Sequence, residues 1–267
     1  MDILIQILWM FPVYAILGWC LEIIYCAVST GKLVNRGFLG GPVCPIYGLG
    51  ASIMILALTP VAHSFLAIFL GALLLGSLLE LAAGFLLKSL FQIRWWDYTD
   101  EPFNIGGYIS LKFSLIWGVI GIGLIRMIHP PIADLIAITP PVVLWTILTL
   151  FYAYFIVDAV VTVLTILKLN RDLKEITRLS ALIHKGGETL AKSIGTPAMG
   201  AARKFEDTRV KLHEKLEDSE RLNALLEHSG KIRRRLFKAF PNMNTVRNSN
   251  AFLEMRQRII NRVRKGK

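Results

Sequence analysis

Apolar residues of this chain occur in five blocks separated by short polar segments. The blocks cover residues 3–28, 44–58, 64–87, 106–128 and 142–167. A helix needs about 20 apolar residues to cross the hydrocarbon core of a bilayer. The second block is shorter than the others and lies between Pro45 and Pro60, so a full crossing and a re-entrant segment both stay open. The pattern predicts an all-α, polytopic membrane helix bundle with about five transmembrane helices.

Charge divides the chain at the end of the fifth block. Residues 1–167 hold six Lys/Arg and eight Asp/Glu, whereas residues 168–267 hold 24 and 11. We therefore expect a transmembrane bundle over residues 1–168 and a basic tail over residues 169–267, helical and partly disordered. Lys and Arg also occur in the loops 29–43 and 88–105 and are absent from the loops 59–63 and 129–141. The positive-inside rule therefore places the N-terminus outside and the tail in the cytoplasm.

Four ionisable side chains fall inside the predicted spans, namely Glu22, Glu80, Lys112 and Asp158. A charge at mid-helix costs about 2.5–3.5 kcal/mol on the translocon scale, so these groups should point into the bundle. Counted from the ends of their spans, all four lie roughly 9–14 Å below the cytoplasmic surface. We expect one polar cluster that binds substrate or protons, with Lys112 neutralising at least one acid. Static interhelical bonds are the structural alternative.

Two of these acids share a local pattern. A glycine precedes the glutamate by one helical turn both at Glu22 and at Glu80. Downstream, Ile-Tyr-Gly at residues 46–48 resembles Ile-Trp-Gly at residues 116–118. Both Glu-bearing helices are predicted to run from outside to inside, which is compatible with a parallel repeat of two hairpins, although the match is short. Such repeats are frequent in transporters, where the site lies at their interface.

Two loops on the predicted cytoplasmic side carry further candidates. Residues 35–48 hold four glycines and two prolines, an irregular backbone whose N–H groups can face an anion. A tight turn is the alternative. The second loop covers residues 94–108. Anchoring at the membrane interface explains its tryptophans and tyrosines but explains Asp97 and Asn104 less well. We predict that the loops form a gate over the cluster, with the members Arg36, Gly41, Pro42, Trp95, Trp96, Asp97 and Asn104.

Four segments form a recognisable set: Gly18-Trp19-x-x-Glu22, residues 36–48, Leu79-Glu80, and Trp95-Trp96-Asp97-Tyr98 followed by Asn104-x-x-Gly107. Together they resemble a bacterial family described as putative ABC-transporter permeases, type IV. The resemblance covers about residues 5–160 and leaves the tail outside. It implies a multi-pass protein of the bacterial cell membrane. Since the chain has no nucleotide-binding domain, an ATPase would have to be a separate chain.

The tail combines helical patterns with basic residues. Residues 169–185 can continue the fifth helix, with breaks expected at residues 185–187 and 195–197. The last segment places Phe252, Met255, Ile259 and Val263 on one face among arginines, a pattern typical of a helix on an anionic membrane surface. A solvated or partly disordered tail is the alternative. Nucleic acid is not an expected partner because the basic segments lack an aromatic stacking pattern or a known module.

The favoured hypothesis is a transport protein that moves an unknown substrate through the polar cluster. A membrane enzyme acting on a lipid or lipid-linked substrate is less favoured, with Asp97 or Glu80 as acid/base and Arg36 as a headgroup clamp. A scaffold that recruits partners through its tail is the third interpretation. The bilayer and anionic headgroups are expected partners, and a homo-oligomer stays open. The three cysteines form no Cys-x-x-Cys pair, so neither a disulfide, a metal site nor a cofactor is expected.

Overall fold

Helices dominate the part of the chain that the structure, a computed structural model, describes. That part consists of residues 3–31 and 33–194, with residues 220, 235–237, 239, 240, 243–245, 250, 252, 253 and 255–257. The helices are α1 (Ile3–Thr30), α2 (Pro45–Leu58), α3 (Phe65–Phe91), α4 (Leu111–Gly123), α5 (His129–Ile138) and α6 (Pro141–Ile194). A 3-10 turn covers Thr59–Val61 and a π-helical turn Leu124–Ile128. Two-residue strands cover Ile93–Arg94 (β1), Asn104–Ile105 (β2), Ile109–Ser110 (β3) and Asn244–Thr245 (β4).

The all-α membrane bundle is confirmed. Within the described residues, four helical stretches are long and apolar enough to cross a membrane: Leu4–Val28, Phe65–Phe91, Leu111–Ile138 and Pro141–Ala181. Large apolar side chains on these helices face outward, as Leu74 and Leu78 of α3 do at 60% exposure each. Such exposure would be costly in water but suits a hydrocarbon solvent.

The second predicted span forms only a short helix. With 14 residues, α2 is about 21 Å long, less than the ~30 Å of a hydrocarbon core. The chain from residue 33 to residue 44 is irregular and follows α1 to its middle, where the Cys44 N–H donates to the Ala15 carbonyl at 2.9 Å. Leu39 and Val43 of this segment are buried against Ala15. The return path therefore consists of irregular backbone enclosed in protein, followed by α2.

The hairpins α1–α2 and α3–α4 pack in the same way. A Cβ on Gly18 of α1 would overlap the Cβ of Tyr47 on α2. A Cβ on Gly76 of α3 would lie 2.7 Å from the Cβ of Trp117 on α4. Small residues at these positions let the paired backbones approach closely.

The next residues of α2 and α4 form a second pair of corresponding contacts. Gly48 faces the ring of Phe11, and Gly118 faces the ring of Phe69. Phe11 precedes Gly18 by as many residues as Phe69 precedes Gly76. The corresponding contacts support the parallel repeat of two hairpins that the sequence suggests.

The helix that begins with α4 changes its packing partner near its end. α4 lies against α3, where Gly121 contacts Ala72, whereas α5 lies against α1, where the Tyr14 hydroxyl is 2.9 Å from His129 Nδ1. The π-helical turn and the two prolines after His129 lie between these contacts, and such features bend helices. α5 therefore connects the second hairpin to the first at the end of the bundle away from the long loops.

The chain divides into two compact units. The first consists of Met1–Thr165 and Arg235–Met243, and the second consists of Ile166–Arg234 and Asn244–Lys267. In the first unit α6 packs on α1, and the rings of Phe11 and Phe155 lie 5.2 Å apart. The break expected at residues 185–187 is wrong because α6 continues to Ile194. Each glycine costs a helix only about 1 kcal/mol, which neighbouring turns can offset. The second expected break, at residues 195–197, lies outside the described residues.

In the second unit the lower part of α6 has two faces. Ile166, Leu169, Leu173 and Ile176 are buried. Lys168, Arg171 and Lys174 are exposed on the other side.

Of the face predicted to lie on a membrane surface, Phe252 and Met255 are fully buried within the protein, so these two side chains do not contact a membrane. The structure does not describe Ile259 and Val263.

Replacing Gly18 with alanine should loosen the first hairpin. The added methyl meets the Cβ of Tyr47, which cannot rotate away, so we expect a loss of about 1–3 kcal/mol of stability. Gly123→Ala is the matched control because nothing lies near that position. Melting temperatures of the purified chains in detergent should fall for G18A and not for G123A. Equal melting temperatures would contradict the close packing.

Candidate functional site

Glu22 lies on α1 one turn after Gly18. Its Oε1 accepts a hydrogen bond from the Tyr47 hydroxyl at 2.7 Å, and its Oε2 lies 3.6 Å from Nη1 of Arg36. Gly18 lets α2 approach closely enough for this tyrosine to reach the acid. Glu22 therefore has one neutral donor and one cation.

Glu80 occupies the corresponding position on α3. Its Oε2 accepts from the Trp117 indole at 3.0 Å, and its Oε1 accepts from the Tyr98 hydroxyl at 2.9 Å. The side chain is buried, at 8% exposure. Burial and the nearby carboxylate raise the pKa of Tyr98 well above its ordinary value, so the phenol stays protonated and donates. Both carboxylate oxygens are thus bonded by neutral groups.

The two acids differ in their arginine partners. Arg36 follows Glu22 at the same distance in sequence as Arg94 follows Glu80. Arg36 reaches its glutamate, but Arg94 pairs with Asp97 at 3.0 Å and donates to the Gly106 carbonyl. Among the described residues, no basic side chain forms an ion pair with Glu80.

A cavity of about 270 Å³ lies between the two hairpins. Corresponding residues of both hairpins line it, including Gly18 and Gly76. Tyr47 and Trp117, whose ring centroids are 5.8 Å apart, also form part of its wall. Its other lining residues are Tyr14, Leu17, Leu21, Ile46, Gly50, Ala51, Met54, Leu79, Glu80, Ile120, Gly123, Leu124 and Ile128. The cavity is therefore apolar apart from Glu80 and the polar tips of its aromatic residues.

The second loop is held together by its own polar residues. Asp97 accepts from the Thr99 backbone at 3.0 Å as well as from Arg94. Burial opposes its ionisation, but these bonds and the arginine charge hold the pKa of Asp97 below its ordinary value. Asn104 donates to the Glu101 carbonyl at 2.8 Å and accepts from Gly107. These contacts position Tyr98 against Glu80.

Asp158 of α6 binds the first loop. Its carboxylate accepts from the backbone N–H of Gly40 at 3.0 Å and of Gly41 at 2.7 Å. The glycine turn does face an anion, as the sequence suggests, but in the structure that anion is a side chain of the chain itself.

Arg235 binds the opposite groups of the same loop. Its guanidinium donates to the carbonyls of Gly37 at 2.7 Å, of Phe38 at 3.0 Å and of Leu39. The loop backbone is thus bonded by an acid on its N–H groups and by a base on its carbonyls.

The family model described as "Putative ABC-transporter type IV" matches residues 9–163, which is more than half of the chain. The chain belongs to this family. The match covers both hairpins and the upper part of α6. Comparison with curated proteins and with solved structures finds no match.

The type IV chain does not gather its four intramembrane charges at one point. Glu22 and Glu80 lie on corresponding positions beside the cavity, whereas Asp158 holds the first loop. Lys112 pairs with Glu101 at 3.0 Å and is 58% exposed, so its predicted neutralisation of the cluster is wrong. α4 begins only at Leu111, after the positive-φ turn at residues 106–107, which places Lys112 in its first turn.

The structure also gives the surroundings of three further residues of the predicted gate. Trp95 is buried between the rings of Phe38, at 5.1 Å, and Phe240, at 5.0 Å, rather than at a lipid interface. Trp96 donates to the Tyr108 carbonyl at 2.9 Å. Pro42 is exposed.

Sequence reasoning missed the donors of the site, Tyr47, Tyr98 and Trp117, and the loop partner Arg235. Tyr47 and Trp117 stand inside the two similar segments 46–48 and 116–118. The repeat could therefore have identified them as a pair. Tyr98 stands in the recognisable segment 95–98, which gives it no partner, and Arg235 carries no comparable local signal.

Removing the Asp158 carboxylate should free the glycine turn. In Asp158→Ala two backbone N–H groups lose a charged acceptor. We expect the free energy of local opening of the loop to fall by about 2–3 kcal/mol. Amide hydrogen exchange of residues 37–44 measures this loss, with Asp134→Ala on α5 as the control. Unchanged exchange in D158A would show that the carboxylate does not hold the loop.

Replacing Arg235 with methionine should expose the interior of the same loop. In a chain whose Cys20 and Cys26 are serine, maleimide labelling of the buried Cys44 reports this opening. We expect several-fold faster labelling for R235M. R235K should give an intermediate rate, because lysine keeps the charge but lacks the two guanidinium nitrogens that donate to the three carbonyls. Equal rates in all three chains would contradict the contact.

Proposed function

We propose that the chain is the membrane-spanning subunit of a transporter, which moves its substrate through the cavity between the two hairpins. The observation that carries this proposal is the buried Glu80 on the wall of a cavity lined by corresponding residues of a repeat. Substrate sites of transporters with parallel repeats lie at the interface of the repeats. Membership of a family described as ABC transporters supports the same conclusion.

We place Glu22 and Glu80 at the substrate or proton site and the two loops above them as its gate. Arg36 belongs to both because it pairs with Glu22. In the gate, Asp97 and Asn104 set the shape of the second loop, and Asp158 with Gly41 anchors the first. Movement of these loops relative to α1 and α3 would open the path to the cavity.

The proposed location is the bacterial cell membrane, with the N-terminus outside and with both loops and the tail on the cytoplasmic side. The excess of Lys and Arg in these loops and after the bundle supports this orientation. A separate ATPase chain is the proposed partner for energy. Lys168, Arg171 and Lys174, which are exposed on α6, are suited to anionic headgroups.

The alternative of a lipid-modifying enzyme receives less support. Asp97 would be a weak proton acceptor because its pKa is low and its oxygens are occupied by Thr99 and Arg94. Arg36 is engaged with Glu22 rather than directed to an external headgroup.

Neutralising Glu80 should abolish transport while leaving the fold intact. We compare the small-molecule content of cells that lack the gene with cells that carry wild-type, Glu80→Gln or Asp134→Asn protein. At least one compound should differ on deletion and be restored by wild type and by D134N, whose carboxylate is exposed on α5. E80Q should restore less than about a tenth of the effect. Full restoration by E80Q, or no difference on deletion, would contradict the proposal.

A further inference from the structure

The wall of the cavity combines three chemical features. Tyr14, Tyr47 and Trp117 offer aromatic rings, and Glu80 offers a carboxylate. The remaining lining residues are aliphatic, methionine or glycine, and none of the lining residues is Lys or Arg. Aromatic faces with one acid attract cations, and aliphatic walls favour an apolar body.

The two hairpins differ in whether an arginine lies beside the glutamate. At the corresponding position, Glu22 has Arg36 beside it. The arginine that would match, Arg94, is engaged with Asp97 and with a backbone carbonyl. An ionised Glu80 thus has hydrogen bonds from Tyr98 and Trp117 but no positive charge from the described residues. A bound cation would supply the charge that is missing.

The hydrogen bonds of Glu80 further restrict the cation. Both of its oxygens already accept from protein donors, and a metal ion would need several more oxygen ligands. The other lining side chains offer only phenol oxygens for that purpose. A quaternary ammonium needs no hydrogen bonds, because its diffuse charge is held by ring faces and by a nearby carboxylate.

We propose that the cavity binds an amphipathic organic cation, such as a quaternary ammonium compound with an apolar substituent. The cationic group lies between Glu80 and the rings of Tyr47 and Trp117, and the apolar part lies along Leu21 and Leu79. As a substrate class this rests on the proposed transport function, whereas binding itself does not depend on it.

The test measures binding of tritiated benzyltrimethylammonium to the full chain in nanodiscs of zwitterionic lipid, by equilibrium dialysis. Saturable binding with one site per chain is expected. Phenylmethanesulfonate, a molecule of similar size and opposite charge, should not compete. Glu80→Gln should weaken binding about tenfold or more, whereas Asp134→Asn should change it less than about twofold. Unchanged binding by E80Q, or equal competition by the sulfonate, would overturn the proposal.

Two controls separate this proposal from other failures. Glu80→Asp keeps the charge, and its binding within a few-fold of wild type would show that E80Q loses a charge rather than its fold. Absence of binding to wild type, while E80Q abolishes the cellular effect described above, would overturn the cation class and leave transport standing. Binding as expected with no cellular effect would support the cation site and contradict transport.

Discussion

Hydrocarbon offers no hydrogen bonds, so backbone N–H and C=O groups at membrane depth must be bonded within the protein. Helices satisfy this requirement by themselves, but the irregular segment from residue 33 to residue 44 cannot. Its groups are bonded by distant parts of the chain: Ala15 of α1, Asp158 of α6 and Arg235 of the tail. The presence of a non-helical segment beside the middle of α1 thus explains why a charged residue stands in α6 and why a tail arginine is buried.

The same constraint explains the two hairpins. In each hairpin a long helix is followed by a loop and a return helix. Tyr47 near the start of α2 and Trp117 in the middle of α4 meet the glutamate-bearing turn. Glycines at Gly18 and Gly76 bring the return helix close, and the aromatic residue at the contact donates to the acid. Packing and polar contacts therefore coincide at one place in each hairpin, and the cavity forms where the two places face each other.

The sequence predicts the helices well because apolar length is a local property. It also suggests a repeat, since Glu22 and Glu80 each follow a leucine directly and a glycine by four residues. The partner of Lys112 could not be predicted, because the start of α4 depends on a glycine turn folded against Asp97 and Arg94. Arg235 is nearly two hundred residues away from the carbonyls that it binds, and no periodic pattern relates the two. Counting residues from the end of a span gives the depth of a charged side chain. It does not show which side chain of a neighbouring helix or loop that charge contacts.

The parallel arrangement of the two hairpins has an evolutionary consequence. Two identical copies of a single hairpin, related by a twofold axis along the membrane normal, would form the same central space with equal acids on both sides. Joining such copies by gene duplication allows each half to diverge without disturbing the other. The engagement of Arg94 in its own loop is a difference of that kind, since it gives the carboxylates of Glu22 and Glu80 different electrostatic surroundings within one polypeptide.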